Sequence, residues 1–203
     1  QKRGFEADDL MATLTRHARL QNYPVHLITN DKDIHQLIVD AAPHVRQFSL
    51  NGKDMFDESS VKKKFGISPS QMIDYQAMVG DSVDNITGIN GVGAKTASKL
   101  LNHFTTLDDI FHNIDDVKDL KIRGAKSVQK KLIEGRENAL KARKLVRLLD
   151  DVDVVGMYPE HSTADNLFDM ANLRWKGPTM EGKQFFTAMN FSFMYQDFRH
   201  LVS

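Results

Sequence analysis

Two short apolar runs, Val25-His26-Leu27-Ile28-Thr29 and Val45 to Leu50, most constrain what this chain can fold into. Both carry β-branched residues and are too short for ordinary helices, so each reads as a strand, the first of them fully buried. A helix-period stretch precedes each one. Ala7, Leu10, Leu14 and Ala18 recur every three or four residues, which predicts an amphipathic helix from about residue 6 to 21. Ile34 to Val39 predicts a second, shorter helix, and Asn51-Gly52 marks a turn after the second strand. Helix–strand–helix–strand order calls for parallel strands in an α/β layer.

Beyond residue 58 the pattern turns helical. Ser68-Pro69-Ser70-Gln71 offers a Ser cap, a Pro in the first helical position and a Gln placed to complete a capping box. That helix should stop at Gly80. Further helices are expected from near Gly93, burying Ala97, Leu100, Leu101 and Phe104, and over 106–112, 125–134 and 136–149. A small aromatic-rich unit should close the chain, around Leu167 to Ala171, Gly182 to Met189 and Phe191 to Leu201. There Trp175, Phe185, Phe186, Phe191 and Phe193 would form a satellite core. The expected divisions are 1–66 for an α/β portion, 67–150 for a helical region and 151–203 for a C-terminal extension.

Charge is balanced in sum but not in place. Lys and Arg number 27, as do Asp and Glu, so composition alone does not single out a nucleic-acid binder. Acidic residues gather at Glu6 to Asp9, Asp31 to Asp33 and Asp81 to Asp84. Basic residues gather at Lys62 to Lys64, Lys95 to Lys99, Arg123 to Lys131 and Lys141 to Arg147. The chain has no Cys, which excludes disulfides and thiolate metal sites and fits a reducing, cytoplasmic compartment. No apolar run approaches the roughly 20 residues that cross a bilayer, so no membrane partner is expected.

Each acidic group falls where secondary structure changes. Glu6, Asp8 and Asp9 open a helix, and Glu6 and Asp9 share its face. Asp31 and Asp33 follow a strand at the carboxyl end, where α/β sheets place ligands. Asp81 and Asp84 follow the helix that ends at Gly80. Singly, each group also fits helix-dipole or turn chemistry. Brought to one edge, seven carboxylates would repel unless cations bind among them. Oxygen donors with no Cys and no His pair at ligand spacing favour Mg²⁺ or Mn²⁺ over Zn²⁺.

Ile89-Asn90-Gly91-Val92-Gly93, followed by the helix with Lys95 and Lys99, reads as a helix–hairpin–helix turn. Gly91 and Gly93 would permit positive φ and a close backbone approach to phosphate, and the next helix would turn its first N–H groups to the anion. A plain tight connection fits the same glycines. Lys62-Lys63-Lys64 and Lys141, Arg143, Lys144 and Arg147 read as solvated helix faces.

Three segments resemble the successive acidic motifs of the 5′-nuclease domain of bacterial DNA polymerase I and of the flap endonucleases. They are Gly4-Phe5-Glu6-Ala7-Asp8-Asp9, Thr29-Asn30-Asp31-Lys32-Asp33, and Gly80-Asp81-Ser82-Val83-Asp84-Asn85-Ile86. The likeness continues through Gly88 to Ala97 and Ile122-Arg123-Gly124-Ala125-Lys126, and covers about residues 4 to 155. It implies a resolvase-like (PIN-like) parallel-sheet portion followed by a helical helix–hairpin–helix subdomain. It also implies two metal ions, with Glu6, Asp8 and Asp9 serving the first, directly or through water, and Asp31, Asp33, Asp81 and Asp84 the second.

DNA contacts would come from Gly91, Gly93, Lys95, Thr96 and Lys99, with Arg123 and Lys126 as further candidates. The carbonyls of Thr87, Ile89 and Val92 would hold K⁺. Expected substrates are DNA flaps, nicks or ends and RNA primers. By the resemblance, the family domain carries a further half of about 100 residues, with two more aspartates and a basic arch, before the first motif matched here, on the same or a separate polypeptide. The family includes both free-standing exonucleases and polymerase fusions, and the aromatic stretch after Asn172 favours fusion. Two other readings fit the residues: a non-catalytic DNA-binding module, and a phosphatase using Asp31-Lys32-Asp33.

Overall fold

The computed structural model describes residues 2–154, together with Gln184, Phe185, Ala188 and Met189. The chain divides into two compact units, Gln1–Met157 and Tyr158–Ser203, and the first holds the sheet and the helical layer. Trp175, Phe186, Phe191 and Phe193, and most of the expected aromatic-rich unit, lie outside the described residues. Phe185, expected in a satellite core, is more than half exposed.

Helix α1 (Ala7–Leu20) leads into strand β1 (Val25–Ile28), which pairs in parallel with β2 (Val45–Phe48), Val25 opposite Val45. Between them Asp33–Leu37 forms a 3₁₀ turn rather than the expected α-helix. The reason is local: Ile38 must be extended, because Val39 exchanges both backbone hydrogen bonds with Val45. Leu27, Ile34 and Val45 form the buried core beneath. A third strand, β3 (Met55–Phe56), runs antiparallel to β2. Two residues are too few to show a period, which is why the pattern gave no sign of it.

Helix α2 (Glu58–Phe65) is capped by Asp57, whose carboxylate accepts the Ser60 N–H at 2.7 Å, and ends at Gly66 in left-handed conformation. The Ser68/Gln71 capping box forms as expected, with a 3₁₀ turn at Pro69–Gln71 feeding α3 (Met72–Val79). Gln71 also donates to the carbonyls of Leu101 and Thr105, so the same amide ties α3 to the end of α4 (Ala94–Phe104). Helices α5 (Leu107–His112), α6 (Ala125–Glu134) and α7 (Arg136–Val146) complete the layer. Met72, Met78, Leu100, Leu101, Leu107, Ile110 and Leu132 are all under 2% exposed at its centre. Each such side chain contributes about 1.5–3 kcal/mol by leaving water.

A buried carboxylate lies inside this layer. Asp74 on α3, 7% exposed, accepts the buried Leu107 N–H at 2.9 Å and the Arg143 guanidinium at 2.9 Å. Arg143 in turn grips both oxygens of Asp108 at 2.9 and 2.8 Å. Arg143 is therefore not part of a solvated face, as the charge run suggested; it locks α7 onto α3 and α5. Lys64, by contrast, is exposed as the charge run suggested, while its ammonium lies over the rings of Phe56 and Phe65 at 4.7 and 5.2 Å, a cation–π contact that covers apolar surface.

Candidate functional site

The loop after α3 is shaped by two glycines pressed together. Gly80 has φ +79°, and a Cβ on Gly88 would fall 2.4 Å from both the Gly80 nitrogen and the Met78 carbonyl oxygen. That approach lets Asp81 and Ile86 exchange backbone hydrogen bonds at 2.8 and 2.7 Å, closing the four-residue turn that holds Asp84. Asn85 takes the left-handed conformation inside it. Asp81 fixes the turn further by accepting the Val83 N–H at 2.9 Å.

The loop after β1 is built from side chains. Asp31 accepts the Asp33 N–H at 2.9 Å, and Gln47 on β2 donates to the carbonyls of Thr29 and Asp31 at 2.9 and 2.8 Å. Because the Gln47 amide nitrogen is so used, its oxygen accepts from His35 Nδ1 at 2.6 Å, which makes Nδ1 the protonated nitrogen. His35 is buried between Phe56 and Phe65, and that burial lowers its pKa.

These loops bring the carboxylates together. Oxygens of Asp33, Asp81 and Asp84 lie within 4.8 Å of one another. Glu6, Asp8, Asp9, Asp31, Asp33 and Asp84 line one cleft of about 510 Å³. All seven predicted acidic residues are thus gathered at the carboxyl edge of β1. They are not equivalent. Asp9 accepts the Leu149 N–H at 2.8 Å with one oxygen and the Glu6 N–H at 3.3 Å with the other, so it braces the wall. Gln76 donates to Asp33.

The electrostatics show the cost of the assembly. Burial first, then the neighbouring charges of Asp31, Asp81 and Asp84, raise the pKa of Asp33 despite the Gln76 hydrogen bond. Burial also raises Asp8, with Asp9 and Asp31 adding to it. A carboxyl whose folded pKa is raised binds its proton more tightly in the native state. Its contribution is therefore lost as pH climbs past 3.8 through the folded value. At neutral pH these two groups weigh against the fold. Burial acts in the same direction on Asp81, but the Lys32 ammonium and the Val83 amide outweigh it and lower that pKa.

Lys32, which the sequence reading passed over, is the cation that balances the site. Its Nζ lies 2.6 Å from Asp81 Oδ2, an oxygen wholly withdrawn from solvent that finds no well-angled hydrogen bond. A buried carboxylate oxygen served only by an ammonium, with two more carboxylates within reach, is a donor set that fits a hard divalent cation. The signal for Lys32 was its place between Asp31 and Asp33.

The hairpin is present too. Thr87, Ile89, Val92, Gly91 and Gly93 line a depression of about 540 Å³. Gly91 has φ +73°, as expected, but Gly93 does not need positive φ: at −96° and 178° it is the extended cap of α4. The Ile89 carbonyl accepts the Val92 N–H at 3.0 Å. Lys95, Thr96 and Lys99 share a shallow pocket with Arg123, across from the start of α6.

A mixed three-stranded sheet, parallel only between β1 and β2 where an all-parallel layer was expected, with acidic residues beside it and a helical unit carrying a glycine hairpin, fits the class of resolvase-like folds. Residues 1–66 match the N-terminal resolvase-like domain of the 5′–3′ exonucleases, and residues 67–166 match their C-terminal SAM fold. The chain belongs to the 5′–3′ exonuclease family. It is 32% identical over 151 residues to a 5′–3′ exonuclease of Buchnera aphidicola, covering 74% of this chain and 52% of that protein. It is 41% identical over 152 residues to DNA polymerase I of Pseudomonas aeruginosa, covering 74% of this chain and 16% of the polymerase. The chain thus spans about half of the first relative and a small part of the second.

Among solved structures, the zinc-bound 5′-exonuclease of bacteriophage T5 superposes with a TM-score of 0.61 at 28% identity, over 73% of this chain and 52% of that one. The T5 flap endonuclease in a complex with DNA and metal ions gives 0.62 at 26%, over 82% and 57%.

Proposed function

We propose that this chain is the acid-bearing and strand-gripping part of a divalent-metal-dependent 5′→3′ exonuclease or 5′-flap endonuclease. Its substrates are DNA flaps, nicks or ends, and the RNA primers met in replication and repair. The observation that carries the reading is the convergence of three sequence-distant acidic segments on one cleft, with Asp33, Asp81 and Asp84 close enough to share a cation. Mg²⁺ or Mn²⁺ would be held there by Asp31, Asp33, Asp81 and Asp84, with Glu6, Asp8 and Asp9 serving a second ion. Such cations supply an acidified water and neutralise the charge that develops on phosphate.

The chain's own residues prepare this. Gln47 and Gln76 hold the Asp31–Asp33 loop, and the Gly80/Gly88 contact holds Asp84. The hairpin would grip the backbone of the duplex without reading bases, through Gly91, Gly93, Lys95, Thr96 and Lys99. The carbonyls of Thr87, Ile89 and Val92 would carry K⁺. In this reading residues 1–66 are the core portion, 67–150 the gripping region and 151–203 an extension. The rest of the domain and a fused polymerase, both suggested by the relatives' lengths, would complete the protein.

The test is cleavage of a 5′-flap duplex by the intact nuclease domain. Activity should need Mg²⁺ or Mn²⁺, and Asp84→Asn should lower the rate on the order of 100-fold. Asp84 is exposed, so this change spares the fold. An unaltered rate in that variant would reject the site.

A further inference from the structure

Two basic residues border the carboxylate cleft. The cleft that Glu6, Asp8, Asp9, Asp31, Asp33 and Asp84 line is also lined by the end of α7 and the turn after it, where Lys144 and Arg147 stand. Both are exposed, and neither forms an ion pair among the described residues, although six carboxylates border the same space.

They are held in place by the backbone. Gln36 donates to the Val146 carbonyl at 3.0 Å and accepts the Leu148 N–H at 3.2 Å. Asp9 accepts the Leu149 N–H at 2.8 Å. Thr13 donates to the Leu149 carbonyl at 3.3 Å and accepts the Val152 N–H at 3.2 Å. Arg143, one residue before Lys144, is fastened to Asp74 and Asp108. A segment pinned at Arg143, Val146, Leu148 and Leu149 fixes the direction in which Lys144 and Arg147 leave it. Cations near a helix C-terminus also favour the dipole, but that explains neither the pinning nor why the pair borders this cleft.

We propose that Lys144 and Arg147 bind the phosphate backbone of the strand lying in the carboxylate cleft. This rests on the nuclease reading above and adds a substrate contact to it. Carboxylates alone repel a nucleic-acid strand. A strand enters such a cleft only if positive charge is fixed along it, and these two side chains supply that charge independently of the hairpin. Arg147 can present two parallel donors to one phosphate, while Lys144 acts as a point charge. The contact is sequence-independent.

The experiment measures binding of a fluorescent 5′-flap duplex by this chain in EDTA over a range of salt concentrations, alongside calorimetric Mn²⁺ titration of the metal-free protein. Charge reversal in the Lys144→Glu/Arg147→Glu double variant should weaken binding about 10-fold or more at low salt and flatten the log–log salt slope by about 2, one per lost phosphate contact. Lys141→Glu, half that charge change one turn earlier on an exposed position outside the cleft, should alter neither beyond twofold. Mn²⁺ uptake should persist in all three proteins.

An unchanged slope in the double variant overturns the inference, as does an equal loss in Lys141→Glu or an absence of salt-sensitive binding by the unaltered chain. Loss of Mn²⁺ uptake in the unaltered chain instead counts against the nuclease reading, and the slope comparison still decides the role of Lys144 and Arg147. Circular dichroism of the variants separates unfolding from lost contact, and the milder Lys144→Gln/Arg147→Gln pair should flatten the slope by the same amount.

Discussion

Gly88→Ala should cost about 3 kcal/mol of stability, the upper end for a methyl forced into packed surroundings, and weaken Mn²⁺ uptake about tenfold or more. The added Cβ would meet the Gly80 nitrogen and the Met78 carbonyl oxygen at 2.4 Å and the Val79 carbonyl carbon at 2.6 Å, all backbone atoms. None can rotate aside as a side chain would. Relief comes only by separating the two arms of the loop, which breaks the Asp81–Ile86 pair and displaces Asp84 from Asp33 and Asp81. Thermal unfolding should show a fall of roughly 6–12 °C for a chain of this size. Gly93→Ala is the control, since nothing lies within 4 Å of a Cβ there and its φ is ordinary. A Gly88→Ala protein with unaltered melting and metal uptake would show that the close approach is not what shapes the loop.

Asp74→Ala should be the most destabilising single change in the helical layer, at about 3–5 kcal/mol. It removes a buried carboxylate on which two groups depend. The Leu107 N–H would be left buried without an acceptor, itself a loss of about 1–3 kcal/mol. The Arg143 guanidinium would keep only the half-exposed Asp108. Denaturant titration measures the loss directly. In a double-mutant cycle, Asp74→Ala and Arg143→Ala should couple by about 1–3 kcal/mol, because they share one interaction. Strict additivity would contradict the account of Arg143 as the fastening of α7. Since α7 carries Lys144 and Arg147 to the cleft, the same clamp reaches from stability into the site.

Much of this was legible in the chain itself, and the reasons differ by residue. The parallel pair β1–β2 showed in its apolar runs, and the Ser68/Gln71 cap in its spacing, because both depend on near neighbours. The three acidic motifs could be read as one site only through their joint resemblance to a family. Singly, each had an adequate local explanation in caps and turns, and Asp9 does act partly as one. What escaped was long-range. Arg143 sits in a basic run that resembles a solvated face, and nothing local reveals that Asp74 lies buried beneath it. Lys144 and Arg147 in the same run reach the acidic cleft only because Gln36 and Asp9, over 100 residues earlier, hold the end of α7. Strand β3 was too short for a period, and Gly93 looked like a positive-φ residue when it is an extended cap. The Lys32–Asp81 pair needed the two loops to be placed first.

The central claim is that the carboxylates of Asp33, Asp81 and Asp84 are assembled to hold a divalent cation. Calorimetric titration of Mn²⁺ into the metal-stripped chain tests it most directly. Uptake should be saturable, and the paired substitution of Asp33→Asn and Asp84→Asn should weaken it about tenfold or more while leaving helical content intact. A chain that takes up no Mn²⁺, or binds it equally well without those two carboxylates, would contradict the account.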